Sequence, residues 1–214
     1  MAAAMPARKR SVVYVDGFNL YYGAVKGSPY KWLNLQRYFQ MLRPHDDVQA
    51  IRYFTALIDG PRRRNQLAYL RALETLPLVE IILGQFKMKQ VTCRVRACTF
   101  AGARRFTTQE EKRTDVNIAV RMLDDAYQNV CDRFAIVSGD SDLVPVVNEV
   151  KARFPDKEVI VYVPARSRVR GAAVELRAAA DKDRVLPLEK LVHAQFPAQV
   201  PDGSGGVINK PADW

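Results

Sequence analysis

Short runs of apolar and β-branched residues alternate along the chain with stretches whose apolar positions return at helical spacing. Ser11 to Val15, Val48 to Leu57, Leu78 to Phe86, Phe134 to Ser138, Glu158 to Val163 and Arg184 to Leu186 predict strands. Between the first two, Leu35, Tyr38, Phe39 and Leu42 share one face of a helix over Asn34 to Leu42, with Pro44 just beyond it. Pro61 suits the first turn of a second helix reaching to about Leu76, where Pro77 stops it. A long third helix runs from Thr108 to about Asn129, with Thr108 as cap and Glu111 as its capping-box partner. Leu143 to Phe154 and Ala172 to Ala180 complete the helical set. This alternation predicts βα units and a mainly parallel sheet.

The stretch Lys87 to Thr108 departs from that rhythm. Basic residues alternate there with Val91, Cys93, Val95, Ala97 and Phe100, and Ala101-Gly102-Ala103 supplies a turn, which predicts a protruding basic β-hairpin. Residues 1–10 read as a basic N-terminal extension and 11–196 as one domain. Residues 197–214, rich in Pro and Gly, read as a flexible C-terminal tail.

Composition narrows the class. A chain of 214 residues with 48% hydrophobic content builds one domain with a sizeable core. No apolar run approaches the roughly 18 residues that cross a bilayer, and Met1 to Arg10 lacks the features of a signal peptide. Three cysteines, an odd number, predict reduced thiols and a cytoplasmic setting. The formal net charge is +10, concentrated at Arg8-Lys9-Arg10, at Arg62-Arg63-Arg64, across Lys87 to Arg113, and at Arg166, Arg168, Arg170 and Arg177. Any one such cluster is ordinarily a solvated face; together, beside acidic turns, they predict a polyanionic partner. Arg62, Arg63, Arg64, Lys87, Lys89, Arg104 and Arg105 are the candidate backbone-binding cations.

Those acidic turns carry the candidate chemistry. Asp16 ends the run Val12-Val13-Tyr14-Val15, Asp140 and Asp142 follow Phe134 to Gly139, and Asp115 opens the long helical pattern between them. The carboxyl ends of neighbouring parallel strands open onto one crevice, where ligands bind. Carboxylates gathered there repel one another unless a cation lies between them, which points to Mg²⁺ or Mn²⁺. Each aspartate also has an ordinary structural use: Asp16 in an Asp-Gly turn with Asn19 as a cap, Asp142 as a helix cap, and Asp115 as a first-turn acid facing the helix dipole. Two aspartates and a glycine exceed what one cap needs, and Ile118, Ala119 and Met122 place Asp115 on the core-facing side of its helix. Other chemistries fail on inventory. His45 and His193 are the only histidines and neither has the context of a general base, Phe18 stands where a haloacid-dehalogenase-type phosphatase needs an aspartate, and no phosphate-cradling P-loop is present.

Tyr14-Val15-Asp16-Gly17-Phe18-Asn19, Thr114-Asp115-Val116-Asn117-Ile118-Ala119-Val120 and Ser138-Gly139-Asp140-Ser141-Asp142-Leu143-Val144-Pro145 together resemble the three motifs of the NYN domain family, the LabA-like branch of the PIN-like nucleases. The resemblance covers Val12 to Leu186. It implies a three-layer α/β/α sandwich, a divalent-metal site built from Asp16, Asp115, Asp140 and Asp142 with Asn19 nearby, and action on RNA. Relatives often carry paired cysteines in the hairpin. Here only Cys93 and Cys98 stand there with no histidine beside them, too few to complete a tetrahedral zinc site.

Three functional readings follow. The first is a metal-dependent ribonuclease cutting single-stranded RNA, with the basic hairpin and Arg62 to Arg64 holding the backbone and Tyr21 or Tyr22 stacking on a base or serving the core. The second is an RNA-binding module without catalysis. The third is an NADH-dependent hydroxylase of a pyridine compound, a chemistry of nicotine breakdown attached to this family. No G-x-G-x-x-G dinucleotide loop accompanies it. Self-association is left open.

Overall fold

The computed structural model describes residues 7–165 and 173–214. Its core is a six-stranded sheet of β1 (Lys9–Asp16), β2 (Asp46–Thr55), β3 (Val79–Leu83), β6 (Arg133–Val137), β7 (Glu158–Val163) and β8 (Lys182–Val185). Every neighbouring pair is parallel. The spatial order β3-β2-β1-β6-β7-β8 means that the chain first moves outward from β1 and then returns to lay β6 on its other side. The order therefore reverses between β1 and β6, and the crevice of such a sheet opens at that switch point.

The period of two along each strand explains the layers. Val13 and Val15 of β1, Ala135 and Val137 of β6, and Ile160 and Tyr162 of β7 enter one core, with α2 (Leu35–Leu42) and α3 (Arg63–Glu74) covering it. Val12 and Tyr14, Phe134 and Ile136, and Val159 and Val161 enter the other, beneath α4 (Thr114–Tyr127), α5 (Val144–Arg153) and α6 (Val174–Ala179). The result has the mainly parallel sheet that the alternation predicts and the α/β/α layers that the resemblance implies.

A basic hairpin projects from it. Strands β4 (Gln85–Thr92) and β5 (Arg105–Lys112) pair antiparallel as a separate two-stranded sheet. This corrects the start of the long helix. Thr108 faces Lys89 and Glu111 faces Phe86 across the hairpin, and the helix begins only at Thr114 after Arg113 turns through a left-handed φ of 81°. A Ser/Thr-x-x-Glu pattern caps a helix only where the backbone is free to coil, and here cross-strand bonding has already claimed it.

Both ends of the domain also move. Lys9 and Arg10 belong to β1, and the Arg10 guanidinium is bonded to Asp132 at 2.6 Å, so this part of the basic extension is structural. Residues 197–214 do not behave as a free tail. β9 (Gln199–Pro201) and β10 (Val207–Asn209) form a hairpin whose turn is held by Asp202 Oδ1, which accepts from Ser204 N and Gly206 N. Val200 and Ile208 are buried in the first core, and Trp214 packs on Trp32 and Tyr69. Three apolar anchors outweigh the Pro/Gly content of the segment.

Candidate active site

β1 delivers Asp16 to the switch point. The chain turns there into the short α1 (Gly17–Leu20), with Asp16 as its N-cap, and continues through a π-helical turn over Tyr21–Val25. Gly17 is required at that corner: a Cβ on it would lie 2.7 Å from the Phe54 carbonyl oxygen and 2.8 Å from the Tyr53 hydroxyl. Asp16 is almost fully buried, at 3% exposure. Its Oδ1 accepts from the amides of Phe18 at 3.1 Å and Asn19 at 3.0 Å. Its Oδ2 accepts from Asn19 Nδ2 at 2.6 Å and from the Ser138 hydroxyl at 3.1 Å.

β6 supplies the opposite wall. The Gly139 amide donates to Asn19 Oδ1 at 3.1 Å, and the Asp140 amide donates to Ser138 Oγ at 3.1 Å. Asp140 Oδ1 in turn accepts the Asp142 amide at 3.0 Å and caps a single 3-10 turn over Ser141–Leu143. The structural uses of these aspartates are thus real, but they leave charge unspent. Asp115, in the first turn of α4, has its carboxyl pushed up to about 6, first by burial and then by the charges of Asp140, Asp16 and Asp142. Asp16 is raised as well, by burial above all, against the hydrogen bonds that hold it down. The four predicted aspartates therefore occupy one electrostatic neighbourhood.

Glu111 joins them. Burial raises its carboxyl, and the charges of Asp16, Asp115 and Asp140 add to that, while a bond from the Thr114 hydroxyl opposes it. Sequence reasoning missed it by assigning it to a cap; the signal was its position three residues before the second motif. Ser138, which cross-links Asp16 to the β6 turn, was quoted in a motif but given no role.

The donor set limits how a cation could be held. Among the described residues no three His, Cys, Asp or Glu side chains are grouped closely enough to hold a metal directly. Asp16 already fills about the four acceptor positions a carboxylate offers. Asp16, expected among the metal-holding aspartates, is thus committed to the protein's own donors. An ion that keeps several of its waters and takes only one or two carboxylates directly, as Mg²⁺ does, would fit this arrangement, with Asp115, Asp140 and Asp142 the candidates for direct or water-mediated contact.

Basic residues flank the crevice unevenly. The hairpin base sits against it, since Phe86 packs edge-on to Phe18 with ring centroids 5.6 Å apart. Lys87, Arg104 and Arg105 on the hairpin are exposed, as are Arg62 and Arg64 at the start of α3. Lys89 is paired with Glu110 at 3.1 Å and Arg63 with Asp59 at 3.1 Å. Arg177 is committed to Asp183, and Arg166, Arg168 and Arg170 lie outside the described residues.

The model of the NYN domain matches residues 10–189, most of the chain. The chain belongs to the NYN domain family. Its sandwich is accordingly PIN-like, and the matched span includes all three acidic motifs. This NYN chain is 28% identical over 240 aligned residues to the 6-hydroxy-3-succinoylpyridine 3-monooxygenase HspA of Pseudomonas putida, covering 96% of the chain and 75% of that protein. It also superposes on the crystal structure of a protein of unknown function from Vibrio parahaemolyticus with a TM-score of 0.52 at 19% identity, over 86% of this chain and 96% of that one. That likeness supports the fold alone. Among the described residues, no helix of the NYN chain is long and apolar enough to cross a membrane.

Proposed function

We propose that this NYN chain hydrolyses phosphodiester bonds of RNA in the crevice between β1 and β6. The observation that carries the reading is Asp115, a half-buried carboxyl raised by burial and by the charges of three other aspartates that end β1 or follow β6 at the switch point of the sheet. A bound Mg²⁺ or Mn²⁺ would supply an activated water and neutralise charge on the phosphate. The protein's own part is positional. Asp16 fixes the Asn19 carboxamide and the Ser138 hydroxyl, and these hold the β6 turn that presents Asp140 and Asp142. Exposed Lys87, Arg104, Arg105, Arg62 and Arg64 give the nucleic acid backbone its counter-charge. Labelled single-stranded RNA incubated with Mn²⁺ tests this. Cleavage should vanish with EDTA and in Asp115→Asn and Asp140→Asn; cleavage by those variants at the parent rate removes the proposal, and RNA binding without cleavage reduces the chain to a binding module.

One observation favours a second reading, oxygenation of a pyridine compound: the relative aligned over 96% of the chain is named for that chemistry. The sequence lacks a G-x-G-x-x-G loop. NADH consumption dependent on a pyridine substrate, absent from a heat-inactivated control, would favour oxygenation over hydrolysis.

A further inference from the structure

Gly17 and Phe18, directly after Asp16, form one wall of a cavity of about 140 Å³ that contains none of the four aspartates. Aromatic rings supply much of the rest of its lining, beside Leu20, Leu33 and Ile58. Tyr53 and Tyr69 meet edge to face at 6.2 Å, and Trp214 of the C-terminal segment lies 5.4 Å from Tyr69. These rings are fixed: the Tyr69 hydroxyl donates to the Leu33 carbonyl at 2.9 Å, and Trp214 also meets Trp32 at 6.2 Å. An engineered cavity of about 150 Å³ with apolar walls takes up a benzene ring, so this space holds one ring and little more. Rigid aromatic walls favour a planar guest over an aliphatic one.

The charge of the lining is one-sided. Lys31 and Arg62 contribute to it, and no aspartate or glutamate side chain does. Lys31 Nζ contacts only a backbone carbonyl, that of Asp213 at 3.3 Å, and Arg62 is exposed. Two cations beside an apolar slot recognise an anionic group attached to the guest.

We propose that this cavity binds a single heteroaromatic ring carrying an acidic group, with the ring among Tyr53, Tyr69 and Trp214 and the acid at Arg62 and Lys31. Such chemistry has two sources, a pyrimidine nucleotide or a free pyridine carboxylic acid. The inference does not rest on the hydrolytic reading: the cavity meets the carboxylate crevice at Gly17 and Phe18 and shares with that reading the cation Arg62, but none of the four aspartates lines it.

The test uses the full chain in EDTA, with nicotinate, uridine monophosphate and the neutral nicotinamide as probes, read by quenching of tryptophan fluorescence and by ligand-observed NMR. Nicotinate, uridine monophosphate or both should saturate a site, and whichever does so identifies the source. Nicotinamide should bind roughly tenfold more weakly than nicotinate, as loss of a charged hydrogen bond requires. Ile58→Trp, which fills the cavity, should abolish binding, and Arg62→Ala should weaken the acid roughly tenfold. Absence of saturation by either acid at millimolar concentration overturns the proposal, as does binding that Arg62→Ala leaves untouched. Arg62 is an exposed position, so Arg62→Ala still decides the matter if Ile58→Trp fails to fold. RNA cleavage by the same preparations in Mn²⁺ reports separately on the crevice.

Discussion

The Asn19 carboxamide ties Asp16 to the far wall of the crevice, donating to Asp16 Oδ2 at 2.6 Å while its own carbonyl oxygen accepts the Gly139 amide at 3.1 Å. One side chain thus couples the ends of β1 and β6, the two strands between which the sheet reverses its order.

That bridge has a measurable value. Asn19→Ala leaves the buried Asp16 carboxylate short of one charge-assisted donor and the Gly139 amide short of its acceptor. The expected loss is about 1–3 kcal/mol, or a melting temperature lower by roughly 5 °C. RNA cleavage should fall further than Asn19→Ala alters folding, because the β6 turn carrying Asp140 and Asp142 loses its tie. A variant that melts like the parent and cleaves at the parent rate would contradict this role.

Asp115 should trade stability for function. Its carboxyl is raised to about 6 in the folded protein, against an ordinary value near 3.8. A raised acid binds its proton more tightly when folded, so its contribution to stability is present at low pH and lost as pH climbs through about 4 to 6. Asp115→Asn should therefore be more stable than the parent at pH 7, by on the order of 1 kcal/mol once solvent screening of this half-buried group is allowed for. Melting curves at pH 4 and pH 7 check the sign: the two proteins should converge at the lower pH. Mg²⁺ should raise the melting temperature of the parent and not of the variant.

How much of this was legible in the sequence depends on the range of the interactions. The central strands were, because apolar runs such as Val12 to Val15 report burial on both faces directly. The placement of the carboxylates at 16, 140 and 142 was, because the crevice of a parallel sheet lies at known strand ends, and that of Asp115 was from the core-facing side of its helix. Glu111 was not, because the same residues satisfy a helix cap and a strand, and only pairing with distant Phe86 decides between them. The tail was misread for a related reason. Composition counts Gly203, Gly205 and Gly206, whereas order comes from Val200, Ile208 and Trp214 meeting a core assembled from residues far away in the chain. The aromatic cavity depends on the same long-range contact and left no local pattern.

Trp214 and the hairpin before it should accordingly be structural. Removing residues 197–214 exposes the neighbours of Val200 and Ile208, each of which contributes roughly 1.5–3 kcal/mol when fully buried. A fall in melting temperature of roughly 10 °C or more is expected. A truncated chain that melts with the full-length protein would show that the segment only rests on the surface.

Gly23 is a sharper packing constraint. A Cβ there would lie 2.0 Å from the Pro164 carbonyl oxygen and 2.9 Å from its carbon, both backbone atoms that cannot swing aside. Gly23→Ala must separate the π-helical turn from the end of β7, at a cost of about 1–3 kcal/mol. Because that turn follows α1 directly, ring binding in the adjacent cavity should weaken along with stability. Unchanged melting would mean that the two segments are not packed as closely as the structure places them.

Salt dependence separates the basic residues that meet nucleic acid from those that serve the fold. For single strands, the logarithm of affinity falls with the logarithm of salt concentration at a slope near 0.7 for each phosphate neutralised, so every contacting cation that is removed flattens the slope by about that amount. Lys87, Arg104, Arg105 and Arg62 are exposed, whereas Lys89 is held by Glu110 and Arg63 by Asp59. The double variant Arg104→Ala with Arg105→Ala should flatten the slope by about 1.4, twice that unit, and lower affinity at moderate salt without shifting the melting temperature. Lys89→Ala with Arg63→Ala should change the slope far less, since those cations already have partners in the free protein. Filter binding of a labelled oligoribonucleotide across a salt series measures both. Equal flattening by the two pairs would mean that the partners release their cations to RNA, and no flattening by either would place the nucleic acid away from the hairpin altogether.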